Sequence, residues 1–67
     1  MLKKRIHVTT IARDSWRVVK EGDKRAVSVF PTRYFAIKKA KEYLSLGYDV
    51  VIHDKFGTVV EWIKGDE

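Results

Sequence analysis

Cysteine is absent from this chain of 67 residues, which removes disulfides, thiolate metal sites and thiol nucleophiles together. Proline occurs once, at Pro31, and the four glycines stand apart from one another, so no glycine-rich loop can cradle a phosphate. Nowhere do 18 apolar residues run together, as a membrane-spanning helix would require. The opening Met1-Leu2-Lys3-Lys4-Arg5-Ile6-His7-Val8 turns directly into alternation rather than into the apolar core of a secretion signal. These absences predict a cytoplasmic protein with no membrane span and no membrane partner.

Histidine is scarce too. His7 and His53 are the only side chains that titrate near neutrality without help. Both fall in strand-like segments, and they would meet if the first and fourth strands were neighbours. A metal would need a third ligand, for which Asp49 or Asp54 is nearest. The simpler reading is a pair of strand histidines hydrogen-bonded at a sheet face. No nucleophile-elbow pattern is present, and a small sheet with one helix offers little concave surface for paired carboxylates. The expectation is therefore no enzyme, no cofactor, no metal and no small-molecule substrate.

What the chain does have is apolar residues, 45% of the total with two Trp, three Tyr and three Phe, well above the range of disordered chains. A chain this short forms one domain, residues 1–67, and buries only about 60% of its unfolded surface. Association with another chain is one way to add to so small a core.

The clearest pattern lies between Pro31 and Gly47. Thr32 is placed to cap a helix over 32–46, and Ala36, Ile37, Ala40, Tyr43 and Leu44 then share one apolar arc. The two alanines predict close approach to a sheet, and Gly47 predicts the stop. Around this helix the β-branched, alternating stretches 5–11, 16–20, 26–30, 48–53 and 58–63 predict strands. Asp54-Lys55-Phe56-Gly57 suits a type I turn followed by a bulge. In the plainest register Val50 and Ile52 would share a face with Val60 and Trp62. The order is β-β-β-α-β-β. It is an α+β fold, with one helix packed on one face of a five-stranded, mostly antiparallel sheet. The tail 64–67 reads as frayed.

Two functional readings follow. Val19, Val27, Val29, Val51, Val59 and Ile63 alternate with the helix-facing set, so the second sheet face is apolar and wants a cover. That predicts a homodimer, packed sheet on sheet or edge on edge, acting as an interaction or structural module. The second reading comes from charge. The formal net charge is +5, with 12 Lys/Arg against 4 Asp/Glu in residues 1–42 and 2 against 5 in 43–67. Residues 1–4 are a basic N-terminal run, in which Lys3 and Lys4 lead into Arg5. With Arg17, Arg33, Tyr34, Lys38 and Lys41 they would make a surface that grips phosphates and stacks bases. No reading motif accompanies it, so such nucleic-acid binding would be weak and indifferent to sequence. Lysines on the outer face of a helix are also the ordinary state of a solvated surface.

In order along the chain, Ile6-His7-Val8, Trp16-Arg17-Val18, Gly22, Arg25-Ala26, Ser28, Thr32-(x3)-Ala36-(x3)-Ala40, Val51-Ile52-His53 and Gly57-Thr58-Val59 resemble the small bacterial domain of unknown function DUF2188. The likeness covers about residues 4–61, and the layout is more distantly similar to YegP-like domains. Phe35 stands where that pattern has an acidic residue, Phe56-Gly57 replaces Asp-Gly, and its polar ending is missing. The resemblance implies an α+β domain without an assigned activity and supplies no catalytic residue.

Overall fold

Pro31 cannot donate to a sheet ladder, so the third strand ends before it and the chain turns into the helix. In the computed structural model, which describes residues 4–65, the elements are β1 (Arg5–Ala12), β2 (Ser15–Lys20), β3 (Ser28–Phe30), α1 (Arg33–Lys41), β4 (Asp49–His53) and β5 (Val59–Ile63). A 3₁₀ turn, Leu44–Leu46, lies between α1 and β4. The five strands form one sheet in the order β3-β2-β1-β4-β5. All pairings are antiparallel except β1 with β4, which run parallel in the register Ile6 to Val50 and Val8 to Ile52.

The helix begins as its sequence implies. Thr32 accepts the Phe35 N–H on its Oγ at 3.4 Å, the bond of an N-cap. Regular α-helix stops at Lys41, short of the expected 46, and the last apolar residues are carried by the tighter 3₁₀ turn. Gly47, at φ 88°, is in the left-handed region that stops the chain there, and its N–H bonds to the Leu44 carbonyl. β3 is shorter than the expected 26–30, although the Val27 N–H still reaches the Val18 carbonyl at 2.7 Å.

Ile6, Val8, Val18, Val50 and Ile52 of the sheet meet Ala36 and Ala40 of α1, and all seven are fully buried. Trp16, Phe30, Ile37, Tyr43, Leu44, Tyr48 and Ile63 close the rim. Methyl side chains at 36 and 40 let the helix lie close to the β-branched floor, so the alanine stripe is what sets the spacing of the two layers.

One expectation is corrected. Val50 pairs with Ile63 and Val51 with Trp62, while His53 pairs with Val59. A bulge in β5, where Val60 is the extra residue, shifts the ladder by one between Ile52 and His53. Ile63 therefore faces the helix and packs on the core, and Trp62 turns to the opposite, open face. Gly65, read as tail, is tied down, its N–H donating to Asp49 Oδ1 at 2.8 Å. Residues 66–67 lie outside the described range.

Ala40→Leu should destabilise the domain by about 1–3 kcal/mol through overpacking. Denaturant unfolding reads this directly, and an unchanged midpoint would mean that the two layers are not in close contact at Ala40.

Candidate functional site

Strand parity sorts the chemistry of this domain. On β1 the residues that alternate with Ile6 and Val8 point away from the helix, so Arg5 and His7 reach the open face, joined by Val51 and His53 of β4 and Trp62 of β5. The parallel β1–β4 pairing sets the two histidines side by side.

There they form a chain of hydrogen bonds. His7 Nε2 lies 3.0 Å from Glu21 Oε1, His7 Nδ1 lies 3.0 Å from His53 Nε2, and His53 Nδ1 lies 3.2 Å from the Gly57 carbonyl oxygen. Glu21 arrives by way of β2. Lys20 pairs with Ile6, and the Glu21 N–H bonds to the Arg5 carbonyl at 3.0 Å, at the mouth of the β2–β3 turn. Its second carboxylate oxygen takes the Arg5 guanidinium at 2.9 Å, and that guanidinium also lies 5.2 Å from the Trp62 ring centre. The hydrogen bond from His7, with Arg5 adding to it, holds the Glu21 carboxyl below its ordinary value.

A second anchor lies beside the first. Asp49 is 5% exposed and accepts the Trp62 indole N–H at 3.1 Å and the Gly65 N–H at 2.8 Å. It is thus occupied with holding β5 and the segment after it. Asp54 accepts the Phe56 and Thr58 N–H groups at 2.8 and 3.0 Å and so shapes the β4–β5 turn, with Gly57 at φ 86°. Neither carboxylate joins the histidines. Among the described residues no group of three potential ligands is placed to hold a metal ion.

The polar and aromatic side chains of this layer change the character of the open face. Val51, expected to be bare, is 1% exposed. Apolar residues that remain in water include Val27 and Val29 towards β3, Val59, Val60 and Trp62 along β5, and Ile11 near the end of β1.

The residues expected to contact nucleic acid divide between two surfaces. Arg5 is on the open face, paired with Glu21, and Arg17 on β2 donates to the Lys24 carbonyl at 3.3 Å. Lys4 lies 5.5 Å from the Tyr48 ring centre and Arg33 lies 6.0 Å from that of Trp16. Tyr34, Lys38 and Lys41 do come together, lining with Ile37 a shallow depression of about 280 Å³ on the outer side of α1. Lys3 lies outside the described residues. A larger hollow of about 580 Å³ opens at the β1–β2 turn, where Arg13 and Lys55 stand with Asp14, Ile11 and Trp16. Lys55 comes from the β4–β5 turn, between His53 and Gly57 in the sequence, but none of the histidine-chain residues lines the hollow.

Of the open-face chain, sequence reasoning anticipated only the meeting of the histidines. Glu21 lies outside the strand-like stretches, and the plainest register puts Trp62 on the face of Val50 and Ile52. The parity of Glu21 relative to Arg5 would have pointed to it, but only with the strand register known.

The family comparison covers most of these elements. The profile of the uncharacterized bacterial proteins of DUF2188 matches residues 6–62. The chain belongs to the DUF2188 family. No curated protein and no solved structure matches it. The match takes in His7, Glu21, Asp49, His53 and Trp62, so the whole open-face chain lies within the DUF2188 domain.

Asp49→Ala should cost this DUF2188 domain about 1–3 kcal/mol, because it leaves the Trp62 and Gly65 donors without their acceptor. Thermal unfolding followed by Trp fluorescence checks it, and a loss below about 0.5 kcal/mol would deny Asp49 its anchoring role.

Proposed function

We propose that this domain is a non-catalytic, cytoplasmic protein-interaction module that works as a homodimer, and that two copies join through their β5 edges. The observation that carries the reading is the state of that edge. Among the described residues β5 pairs only with β4, so its outer row of backbone N–H and C=O groups has no described strand beside it. Val59, Val60 and Trp62 are each close to half exposed, and Glu61 is the single charge between Val59 and Ile63. Exposed edges are ordinarily protected by shortness or by lysine. The opposite edge, β3, has three residues and α1 packed beside it. β5 is longer, with five residues, and α1 packs on it less than on β3, so its own protection is limited to the bulge at Val60 and the charge of Glu61.

A second copy suits this edge because two identical strands pair antiparallel about a two-fold axis, giving a closed assembly. Sheet-on-sheet packing is disfavoured by the strip of Arg5, Glu21, His7 and His53 across the open face, which would have to lose its water.

A second reading rests on a different observation, the depression lined by Tyr34, Ile37, Lys38 and Lys41. An exposed ring with two lysines beside it on the same depression suits weak, salt-sensitive contact with single-stranded nucleic acid, by stacking and phosphate attraction. The separation of Arg5 and Arg17 from this helix face limits the site to few charges, which makes it the subordinate reading.

Light scattering at high micromolar concentration should give twice the 7.8 kDa mass of one chain, little changed by salt. Val60→Lys should return the mass to that of a single chain, whereas Val29→Lys on β3 should not. A single-chain mass for the unaltered protein would refute the homodimer. For the second reading, Lys38→Glu with Lys41→Glu should weaken binding to single-stranded DNA and RNA of any sequence by tenfold or more, on the order of the electrostatic share of such binding. Equal affinity before and after the exchange would rule out the helix face.

A further inference from the structure

The chain Glu21–His7–His53–Gly57 sets a problem in proton counting. Its two ends are acceptors, a carboxylate oxygen and a peptide carbonyl, and three contacts of 3.0, 3.0 and 3.2 Å join them through four ring nitrogens. Each contact needs one hydrogen. A carbonyl can only accept, so His53 Nδ1 carries a proton. If both rings are neutral, His53 Nε2 then accepts from His7 Nδ1, and His7 Nε2 is left as a lone pair facing a carboxylate. Two neutral imidazoles supply two hydrogens for three bonds.

We propose that the open face is a proton-binding site, at which the folded domain holds one proton shared by His7 and His53 and bound between Glu21 and the Gly57 carbonyl. With that proton in place the hydrogen of the middle bond can sit on either ring, and every contact has its hydrogen. A second proton would place two N–H groups nose to nose across the 3.0 Å contact, so it is resisted. The pair therefore binds its protons in two separated steps.

The surrounding groups decide where the proton resides. Arg5 of β1 holds the other oxygen of Glu21 at 2.9 Å, which keeps that carboxylate ionised and the proton on the rings. Arg17 of β2 is turned to the Lys24 carbonyl, and Lys55 lies over the Phe56 ring. On β4 and its turn, Asp49 and Asp54 are engaged with Trp62, Gly65 and the turn amides. β5 brings the Trp62 ring, on which Arg5 stacks. Glu21 is thus the carboxylate that meets the rings.

The consequence follows by linkage. The unfolded chain has no such network, so where the folded form holds the extra proton and the unfolded form does not, stability falls as pH rises. The elements joined are the β2–β3 turn, β1, β4 and the β4–β5 turn, which leads into the β5 edge. Proton loss opens one of three bonds in that line.

Nitrogen-15 spectra of the imidazole rings, recorded on the full chain from about pH 9 to about pH 4.5, count the ring protons directly across the histidine range. Both rings should respond to the first step, and the second proton should bind at least about tenfold more weakly than the first. Glu21→Gln is the decisive variant. A glutamine amide donates to His7 Nε2, so all three bonds form with neutral rings and the demand for a proton disappears. The first proton should then bind at least about tenfold more weakly than in the unaltered protein, and the pH dependence of thermal unfolding in this range should flatten. Rings that titrate independently on overlapping curves, or a Glu21→Gln variant that titrates like the unaltered protein, would overturn the proposal.

Discussion

The parallel pairing of β1 with β4 is the constraint on which this fold depends. Strands that run parallel cannot be joined by a tight turn, and here the connection consists of β2, β3 and α1. The helix must cross the sheet to deliver β4 to the far side of β1, and its alanine stripe lets it do so at close range. Once β4 lies beside β1, four of its five residues are buried, the highest share of any strand. The core and the open-face chemistry both follow from this one adjacency. Ile6 and Val8 meet Val50 and Ile52 on one side, and His7 meets His53 on the other.

The two faces of the sheet then divide the work. The helix side is dry and apolar, and it stabilises the domain by burial. The open side is held by directional contacts, from the Arg5–Glu21 pair through the imidazoles to the Gly57 carbonyl, with Asp49 fastening β5 alongside. Such contacts tie the strands together without hiding the surface, and they leave the β5 edge facing outward. In this arrangement the polar strip disfavours one mode of association, face on face, and leaves another, edge on edge. The basic residues that dominate the first two thirds of the chain spread over several surfaces, so charge alone does not define a site.

Much of the architecture was legible in the residues. Alternation marked the strands, the Thr32 cap and the alanines marked the helix, and the isolated glycines marked the turns. Gly47 and Gly57 both take the positive φ that their positions implied. The register of β5 was not legible, because the bulge at Val60 inserts one residue where nothing in Thr58-Val59-Val60-Glu61-Trp62-Ile63 distinguishes a regular strand from a bulged one. That single insertion exchanges the faces of Trp62 and Ile63. The helix end was overestimated because Tyr43 and Leu44 continue the apolar arc even though the backbone tightens. Of the open-face chain, the histidine pair could be anticipated only on the condition that the first and fourth strands are neighbours, while the partners of Glu21 and Asp49 required the full strand order and register. A carboxylate at a turn or a strand start carries no local sign of the partner that a distant strand brings to it.

The adjacency of β1 and β4 is tested most directly by proton–proton contacts in solution. The account predicts backbone contacts in the parallel register, Ile6 beside Val50 and Val8 beside Ile52, together with ring-to-ring contacts between His7 and His53 and slow amide exchange along both strands. Amides of β1 or β4 that exchange as fast as those of the turns, with no contact between the two histidine rings, would contradict it.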